Sequence, residues 1–263
     1  MIEIISLIAF FAGTSILTAG YFYQKKMIFY PSKTDRNYRY GFGRPSEEIF
    51  FKRGSDELHS LHFPHPESEG FIVYFHGNAG DLAGWGNIEK DFRKFPLDLY
   101  ILDYRGYGKS TGNIGSEKEL ISDCEAFYQE ISSRHPYARK KIVYGRSIGT
   151  GPAVYTASRN PATHLILETP YSSLKSLINK IFPIVPSFLI SFTLESDVWI
   201  QNVNAEILIL HGTDDSVIPF SEGKQLSDSI RKKHDFIIIK KGDHNDLSMY
   251  KEYHTALEEF LKK

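Results

Sequence analysis

Apolar runs alternate with longer stretches of mixed polarity over most of the chain, and this alternation predicts strands and helices in turn. Continuous runs such as GFIVYFHG and AEILILHG are typical of strands that are buried on both faces of a parallel sheet. One intervening stretch, residues 116–135, is predicted to be a helix that Ser116 caps, with Glu119 completing a capping box. Repeated strand–helix units predict an α/β fold with an open, mostly parallel central sheet and helices on both faces.

Eight strands are predicted. They are SEEIFFKR and LHSLHF as a short antiparallel entry, then GFIVYFHG, LDLYILDY (97–104), KKIVYG (140–145), THLILETP (163–170), AEILILHG (205–212) and DFIIIKKGDH (235–244). Helices are predicted after residue 80 as far as about Phe95, and at 116–135, 148–159, 221–233 and 246–261.

The pattern differs at the N-terminus, where residues 4–23 contain no charged side chain. As a helix this segment is long enough to cross about 30 Å of hydrocarbon. Tyr21 and Tyr23 would then lie at the membrane interface, followed by Lys25 and Lys26. The pattern favours a retained N-terminal transmembrane helix, with residues 4–23 as the contact to the membrane.

Two other interpretations of this segment stay open. A cleaved signal peptide would fit the small residues at 18–20, although Glu3, and no basic residue, precedes the apolar run. The segment could also be a buried core helix. Basic residues gather after the run rather than before it, which favours a single-pass membrane protein with a cytoplasmic catalytic domain.

The chain therefore divides into an anchor (1–25), a tether (26–45) and one α/β domain (46–263) with an insertion at 171–203. The insertion contains IFPIVPSFLISF (181–192), which is too short, and too broken by Pro183 and Pro186, for a second membrane span. It fits either an ordinary packed connection or a short lid over the carboxyl ends of the strands, where open α/β sheets place ligands.

Composition narrows the classes of partner. The 31 basic and 32 acidic residues nearly cancel, so no global basic field is available for nucleic acid. A single cysteine, Cys124, excludes an internal disulfide framework and is interpreted as a small buried residue. The histidines lack the H-x-x-x-H or H-E-x-x-H spacing of a zinc site, so we expect neither a metal nor a cofactor.

Candidate chemistry begins at Gly145-Arg-Ser-Ile-Gly149, a G-x-S-x-G between a predicted strand and a predicted helix. A sharp turn there would expose Ser147 above the sheet as a nucleophile, while the glycines let neighbouring backbone pass close by. The backbone N–H of Ile148 would open the helix and face a developing oxyanion. The second donor is expected from the HGNAG loop, at the N–H of Asn78, with His76 supporting that loop.

A serine needs a base, and the base needs an orienting carboxylate. In this type of sheet the chain order is serine, acid, histidine. Ser147 is followed by Asp214 and Asp215 at the end of one predicted strand and by His244 at the end of the next. From this order alone, either aspartate could be the acid.

These motifs resemble those of a known superfamily. They are YFYQKKMIFYP (21–31), HGNAG (76–80), DYRGYGKS (103–110), GRSIG (145–149), HGTDD (211–215) with Pro219, and GDHND (242–246). Together they resemble the α/β-hydrolase superfamily, and more narrowly its membrane-anchored abhydrolase-domain serine hydrolases, which include bacterial single-pass members and eukaryotic protein depalmitoylases.

The resemblance implies an α/β-hydrolase fold and a Ser147–Asp215–His244 triad, since the family pattern H-G-x-x-D-x-x-x-P selects Asp215 and leaves Asp214 to form the turn. It implies hydrolysis of a small-molecule or lipidated ester or thioester, with an apolar acyl group, through an acyl-enzyme and without a cofactor. The 171–203 segment matches the family only loosely, so the substrate stays open.

Two alternatives accompany this prediction. A membrane-tethered scaffold without catalysis would tolerate loss of Ser147. A peptidase could use the same triad, although no propeller or other gating domain is present to select peptides.

Overall fold

The computed structural model describes residues 23–263, so the predicted anchor (1–25) lies outside the described residues except for residues 23–25. Within that part of the chain, no helix is long and apolar enough to cross a membrane. The strands are β1 (Tyr30–Pro31), β2 (Glu47–Arg53), β3 (Asp56–Phe63), β4 (Gly70–Phe75), β5 (Ala79–Gly80), β6 (Asp98–Asp103), β7 (Lys140–Arg146), β8 (His164–Glu168), β9 (Glu206–Gly212) and β10 (Asp235–Ile239).

The α-helices are α1, whose described part is residues 23–28, then α2 (Leu82–Trp85), α3 (Glu89–Phe92), α4 (Glu117–Arg134), α5 (Thr150–Arg159), α6 (Leu174–Ile181), α7 (Ser196–Trp199), α8 (Phe220–Ser229) and α9 (Lys251–Leu261). Short 3₁₀ turns occur at Gly86–Ile88, Ser147–Gly149, Ser187–Leu189, Ile200–Asn202 and Leu247–Met249.

The central sheet has eight strands in the order β10-β9-β8-β7-β4-β6-β3-β2. The pairs β2–β3 and β3–β6 are antiparallel, and all other pairs in this sheet are parallel. This confirms the predicted mostly parallel sheet with an antiparallel entry. The carboxyl ends of the parallel strands therefore meet at one edge.

Both faces of this sheet are covered, which explains why its central strands are apolar throughout. In β4, Phe71 and Val73 belong to one core cluster with residues of α4 and α5, while Ile72 and Tyr74 belong to another with residues of α3 and α9. Side chains alternate across a strand, so both sets must be apolar when helices lie on each side.

The helix predicted to reach about Phe95 is interrupted. It consists of α2, a 3₁₀ turn and α3, which ends at Phe92. The interruption coincides with Gly86, where a Cβ would lie 2.2 Å from the ring of Phe42. Phe42, from a distant part of the sequence, thus occupies the space that a side chain at position 86 would need. By contrast, α4 begins as predicted, because Ser116 Oγ accepts a hydrogen bond from the Glu119 N–H.

Residues 28–32, within the stretch expected to be a tether, pack directly on the domain. Ile28 and Phe29 are buried in the core. β1 pairs in parallel with β5, and the Tyr30 N–H donates to the Asn78 carbonyl at 2.9 Å. The segment that follows α1 therefore contacts the loop in which an oxyanion donor is expected.

Candidate active site

Ser147 lies at the junction of β7 and the 3₁₀ turn that precedes α5. Its φ of 54° is in the left-handed region, which is strained for a residue with a side chain. The turn depends on its glycines. A Cβ on Gly145 would lie 2.5 Å from the Gly149 carbonyl oxygen, and one on Gly149 would lie 2.2 Å from the Phe75 carbonyl oxygen. The sequence thus forces a sharp strand-to-helix turn with Ser147 at its apex.

The structure brings Ser147, His244 and Asp215 into one hydrogen-bonded chain. Ser147 Oγ lies 3.0 Å from His244 Nε2, and His244 Nδ1 lies 3.0 and 2.9 Å from the two carboxylate oxygens of Asp215. A carboxylate only accepts, so Nδ1 carries a proton and Nε2 of the neutral ring is free to accept from the serine hydroxyl. All three residues are buried.

Asp215 is held in its ionised form. Burial alone would raise its pKa, but hydrogen bonds from His211 and His244 and from the Ile218 N–H outweigh burial and hold the pKa of Asp215 well below its usual range. Asp215 Oδ1 also accepts from the Val217 N–H at 2.9 Å and the Ile218 N–H at 2.8 Å. The carboxylate is therefore fixed in position and charged where it faces the imidazole.

Asp214 has a different environment from its neighbour. Its side chain is exposed and accepts a hydrogen bond from the Thr213 hydroxyl at 2.7 Å, and its N–H donates to the Gly242 carbonyl at 3.0 Å. These contacts make it part of the turn after β9. Adjacent side chains diverge here, so only one aspartate reaches the histidine.

The two expected oxyanion donors lie on different elements. Ile148 is in the 3₁₀ turn that directly follows Ser147, and Asn78 is in the loop after β4. Buried His76 orients that loop, because its Nδ1 donates to the Gly77 carbonyl at 2.7 Å and so fixes the peptide plane that carries the Asn78 N–H. On the other side of its ring, His76 Nε2 lies 3.4 Å from a carboxylate oxygen of buried Asp103.

Sequence reasoning missed Arg146, which occupies the variable position before the nucleophile. Its guanidinium lies 3.2 Å from a carboxylate oxygen of buried Glu168 and donates to the His244 carbonyl and to Asn245 Oδ1, each at 3.1 Å. Burial would lower the pKa of Arg146, but the Glu168 carboxylate outweighs burial and raises it. The charged guanidinium thus connects the nucleophile turn to the histidine loop. The motif treats this position as variable, so no sequence signal marked it.

A second missed residue, Asp243, precedes the histidine. Its Oδ1 accepts hydrogen bonds from the Ser216 N–H, the Ser216 hydroxyl and the His244 N–H, at 2.8, 2.8 and 2.7 Å. These bonds hold the pKa of Asp243 below its usual value. Asp243 therefore ties the loop that carries Asp215 to the loop that carries His244. Its adjacency to His244 was the only signal in the sequence.

Trp85 packs between the loop after β4 and Arg146. Its indole N–H donates to the Ala79 carbonyl at 2.8 Å, its ring stacks on His76 at 5.5 Å, and the Arg146 guanidinium lies 5.2 Å from its ring centre. A Cβ on Gly77 would lie 3.0 Å from this ring, so a side chain at this position would crowd the indole.

No group of three or more His, Cys, Asp or Glu side chains among residues 23–263 has a geometry that could hold a metal ion.

Comparison with known proteins shows which family the chain belongs to. Residues 66–200 match the model of a family described as "Serine aminopeptidase, S33". Alpha/beta hydrolase domain-containing protein 17C of Mus musculus is 31% identical over 219 residues, which cover 81% of this chain and 67% of that protein. Protein 17B of Homo sapiens is 30% identical over 200 residues, covering 75% and 68%.

Solved structures share the fold. A Pyrococcus furiosus esterase superposes with a TM-score of 0.71 at 15% identity, over 89% of this chain and 97% of its own. Est1E of Butyrivibrio proteoclasticus, solved with ferulic acid bound, gives 0.67 at 15% identity, over 82% of this chain and 100% of its own. The chain spans about two thirds of the length of the relatives that it matches by sequence. The family model and these relatives together show that the chain belongs to the α/β-hydrolase superfamily.

Proposed function

We propose that this protein is a serine hydrolase that cleaves carboxylic esters or thioesters with an apolar acyl group. The observation that carries the proposal is the continuous hydrogen-bonded chain from Ser147 Oγ through His244 to Asp215, at 3.0 Å and then 2.9 Å. This arrangement has the geometry that an activated serine requires, with a base in reach and a carboxylate orienting the base.

The reaction proceeds in two steps. His244 Nε2 accepts the Ser147 proton as Oγ attacks the acyl carbonyl, and the imidazolium then gives this proton to the departing alcohol or thiol. Water, deprotonated by the same nitrogen, attacks the acyl-enzyme, and its proton returns to Ser147 Oγ as the carboxylic acid leaves. Asp215 keeps its charge throughout and stabilises the imidazolium.

The tetrahedral oxyanion of each step is assigned to the Ile148 and Asn78 N–H groups. The support for Asn78 is the hydrogen bond from His76 to the Gly77 carbonyl, which fixes the peptide plane that carries the Asn78 N–H. A single donor of this kind contributes about 10²–10³ to turnover. No cofactor takes part in this mechanism.

The proposed role of the membrane rests on the amino-acid sequence. Residues 4–23 are proposed to anchor the α/β domain to the cytoplasmic side of a membrane, and the 171–203 insertion is proposed to border the acyl site as a lid. The insertion supports this role by its position, since it leaves the sheet at the carboxyl end of β8, beside the strand that presents Ser147. A lipid-like acyl group fits both features.

Peptide hydrolysis by the same triad is the second candidate, because the matching family model is described as a serine aminopeptidase. A membrane-tethered scaffold without catalysis is the third. A scaffold would have no use for the strained backbone of Ser147, whose φ of 54° costs of order 1–3 kcal/mol.

The test compares substrates on the detergent-purified full chain. We expect turnover of p-nitrophenyl esters and acyl thioesters that rises with acyl length, at least 100-fold above that of aminoacyl p-nitroanilides, and loss of turnover in Ser147→Ala. Preference for the anilides would favour the peptidase. A folded wild-type chain inactive on every substrate would favour the scaffold.

A further inference from the structure

Four large apolar side chains are exposed on one short stretch of the 171–203 insertion. They are Ile181 (51%), Phe182 (50%), Ile184 (91%) and Phe188 (84%). We call residues 181–188 the apolar turn. Single exposed apolar residues are normal, but a contiguous set marks a contact with another molecule or with a membrane.

The apolar turn has a defined backbone. The Phe182 N–H donates to the Ile178 carbonyl at 2.7 Å, and the Val185 N–H donates to the Phe182 carbonyl at 3.0 Å. The Asn179 amide donates to the Ser187 hydroxyl at 2.9 Å and so ties the far side of the turn back to α6. These bonds present the apolar side chains outward on a fixed support.

The apolar turn lies beside the point where the predicted anchor ends. The Gln24 amide donates to the Leu189 carbonyl at 3.1 Å, and its oxygen accepts from the Ser191 N–H at 2.9 Å. A few residues further along both segments, Phe29 and Phe192 pack edge to face with ring centres 5.2 Å apart. Tyr23, the last residue of the uncharged segment 4–23, directly precedes Gln24, so the end of that segment lies next to the apolar turn.

We propose that the apolar turn inserts into the interfacial layer of the lipid bilayer to which residues 4–23 anchor the chain. The surroundings match that partner. Lys25 and Lys26 follow the anchor and complement anionic headgroups, and Tyr23 and Tyr30 are exposed aromatic rings, a residue type enriched at membrane interfaces. Exposed Leu, Ile and Phe flanked by basic residues are typical of surfaces that lie in the headgroup layer.

The anchor alone would leave the domain free to rotate at the membrane surface. The anchor and the apolar turn together would fix its orientation. The insertion leaves the sheet at the carboxyl end of β8, which adjoins the end of β7 that presents Ser147. Contact through the apolar turn would hold this edge of the sheet toward the bilayer. An acyl chain could then reach the serine without crossing water. This consequence for substrate delivery rests on the proposed ester or thioester hydrolysis, whereas the membrane contact does not.

The experiment uses the full chain in vesicles of phosphatidylcholine and phosphatidylglycerol. Bimane is attached to single cysteines introduced as Ile184→Cys and Phe188→Cys, and quenching by doxyl-labelled lipids is measured. The native Cys124 does not interfere, because burial raises the pKa of its thiol. Tyr137→Cys is the matched control, since Tyr137 is 95% exposed and lies before β7, at the opposite edge of the sheet.

We expect lipid quenching at positions 184 and 188 to exceed that at position 137 at least threefold. Equal, weak quenching at all three positions would overturn the proposal. So would a blue shift without lipid quenching, which would mean that the protein itself covers the turn. Pyrene excimers between copies labelled at 184 would instead identify a dimer contact and would also overturn it.

Activity provides the second arm. In the double variant Ile184→Ser/Phe188→Ser, we expect turnover of a long-chain acyl thioester carried in the vesicles to fall about tenfold more than turnover of soluble p-nitrophenyl acetate. Equal loss on both substrates would contradict a membrane role. If the wild-type chain hydrolyses neither, the proposed function fails, while the bimane result still decides the membrane contact.

Discussion

The carboxylate of Asp243 accepts two hydrogen bonds from Ser216, one from its N–H and one from its hydroxyl, each at 2.8 Å. A third bond, from the His244 N–H at 2.7 Å, uses the same oxygen. One surface carboxylate thus joins the two loops that carry the proposed acid and the proposed base.

Asp243→Ala should lower kcat on a p-nitrophenyl ester, because the loops lose their shared acceptor and His244 loses alignment. A misplacement of His244 by about 1 Å can lower the rate roughly 10²-fold, so we expect kcat to fall by up to that factor. Asp243→Asn keeps an oxygen that can accept and should recover most of kcat. Asp228→Ala, an exposed aspartate paired with Lys224 on α8, is the control. Equal kcat in Asp243→Ala and wild type would exclude the positioning role.

The two aspartates of the turn should separate cleanly in kinetics. Asp215→Asn should reduce kcat/KM by about 10⁴-fold, since the imidazole loses the carboxylate that fixes its tautomer. Asp214→Asn should stay within about twofold of wild type, because Asp214 is exposed and hydrogen-bonds within its own turn. A larger loss in Asp214→Asn than in Asp215→Asn would reverse the assignment.

The depressed pKa of Asp215 also predicts how stability depends on pH. A carboxylate whose folded pKa lies below its unfolded value, about 3.9, stabilises the protein above that pH and loses this contribution as pH falls toward the folded pKa. The free energy of unfolding of wild type should therefore exceed that of Asp215→Asn by about 1 kcal/mol more at pH 7 than at pH 3, because over this range only the unfolded chain takes up the proton.

Urea unfolding of both proteins across this range measures the difference, and the other carboxylates cancel because the two chains share them. A difference in the free energy of unfolding that does not change between pH 7 and pH 3 would show that the folded pKa of Asp215 is ordinary.

Arg146 should affect stability and catalysis separately. Arg146→Gln leaves the Glu168 carboxylate buried without its cation, which should cost about 3 kcal/mol of unfolding free energy. The surface pair of Arg159 and Glu125 offers the matched control, since Arg159→Gln should cost less than about 1 kcal/mol.

The double variant Arg146→Gln/Glu168→Gln tests whether Arg146 also positions His244. Removing the unpaired charge should restore much of the stability, while kcat stays low because the His244 carbonyl still lacks its donor. If kcat recovers together with stability, Arg146 has only a structural role.

The central fold was predictable because its signals are local and repeated. Strands such as β4 are buried on both faces and are apolar at nearly every position, so a short run of sequence identifies them. The helical stretch after β5 was predicted to reach about Phe95, and no local signal in the sequence marked the 3₁₀ turn at Gly86–Ile88 that divides it. The pairing of β1 with β5 spans only two residues on each strand, which leaves no periodicity to detect.

The candidate site divides in the same way. Ser147, Asp215 and His244 follow the ends of β7, β9 and β10, so topology alone brings them to one edge of the sheet. That they act as a catalytic triad stays a prediction, as do the oxyanion roles of Ile148 and Asn78. The supporting contacts of Arg146 and Asp243 depend on the directions of side chains in loops. Neither the hydrophobic periodicity nor the motifs of the sequence specify those directions.

The most direct test of the account is fluorophosphonate labelling of the full chain, with the modified peptide mapped by mass spectrometry. Wild type should carry one adduct, on Ser147, and Ser133→Ala, which changes an exposed serine on α4, should label equally. Labelling should vanish in Ser147→Ala and fall by orders of magnitude in His244→Ala, because the hydroxyl then lacks its base. A folded wild-type chain that does not label, or a Ser147→Ala variant that still does, would contradict the account.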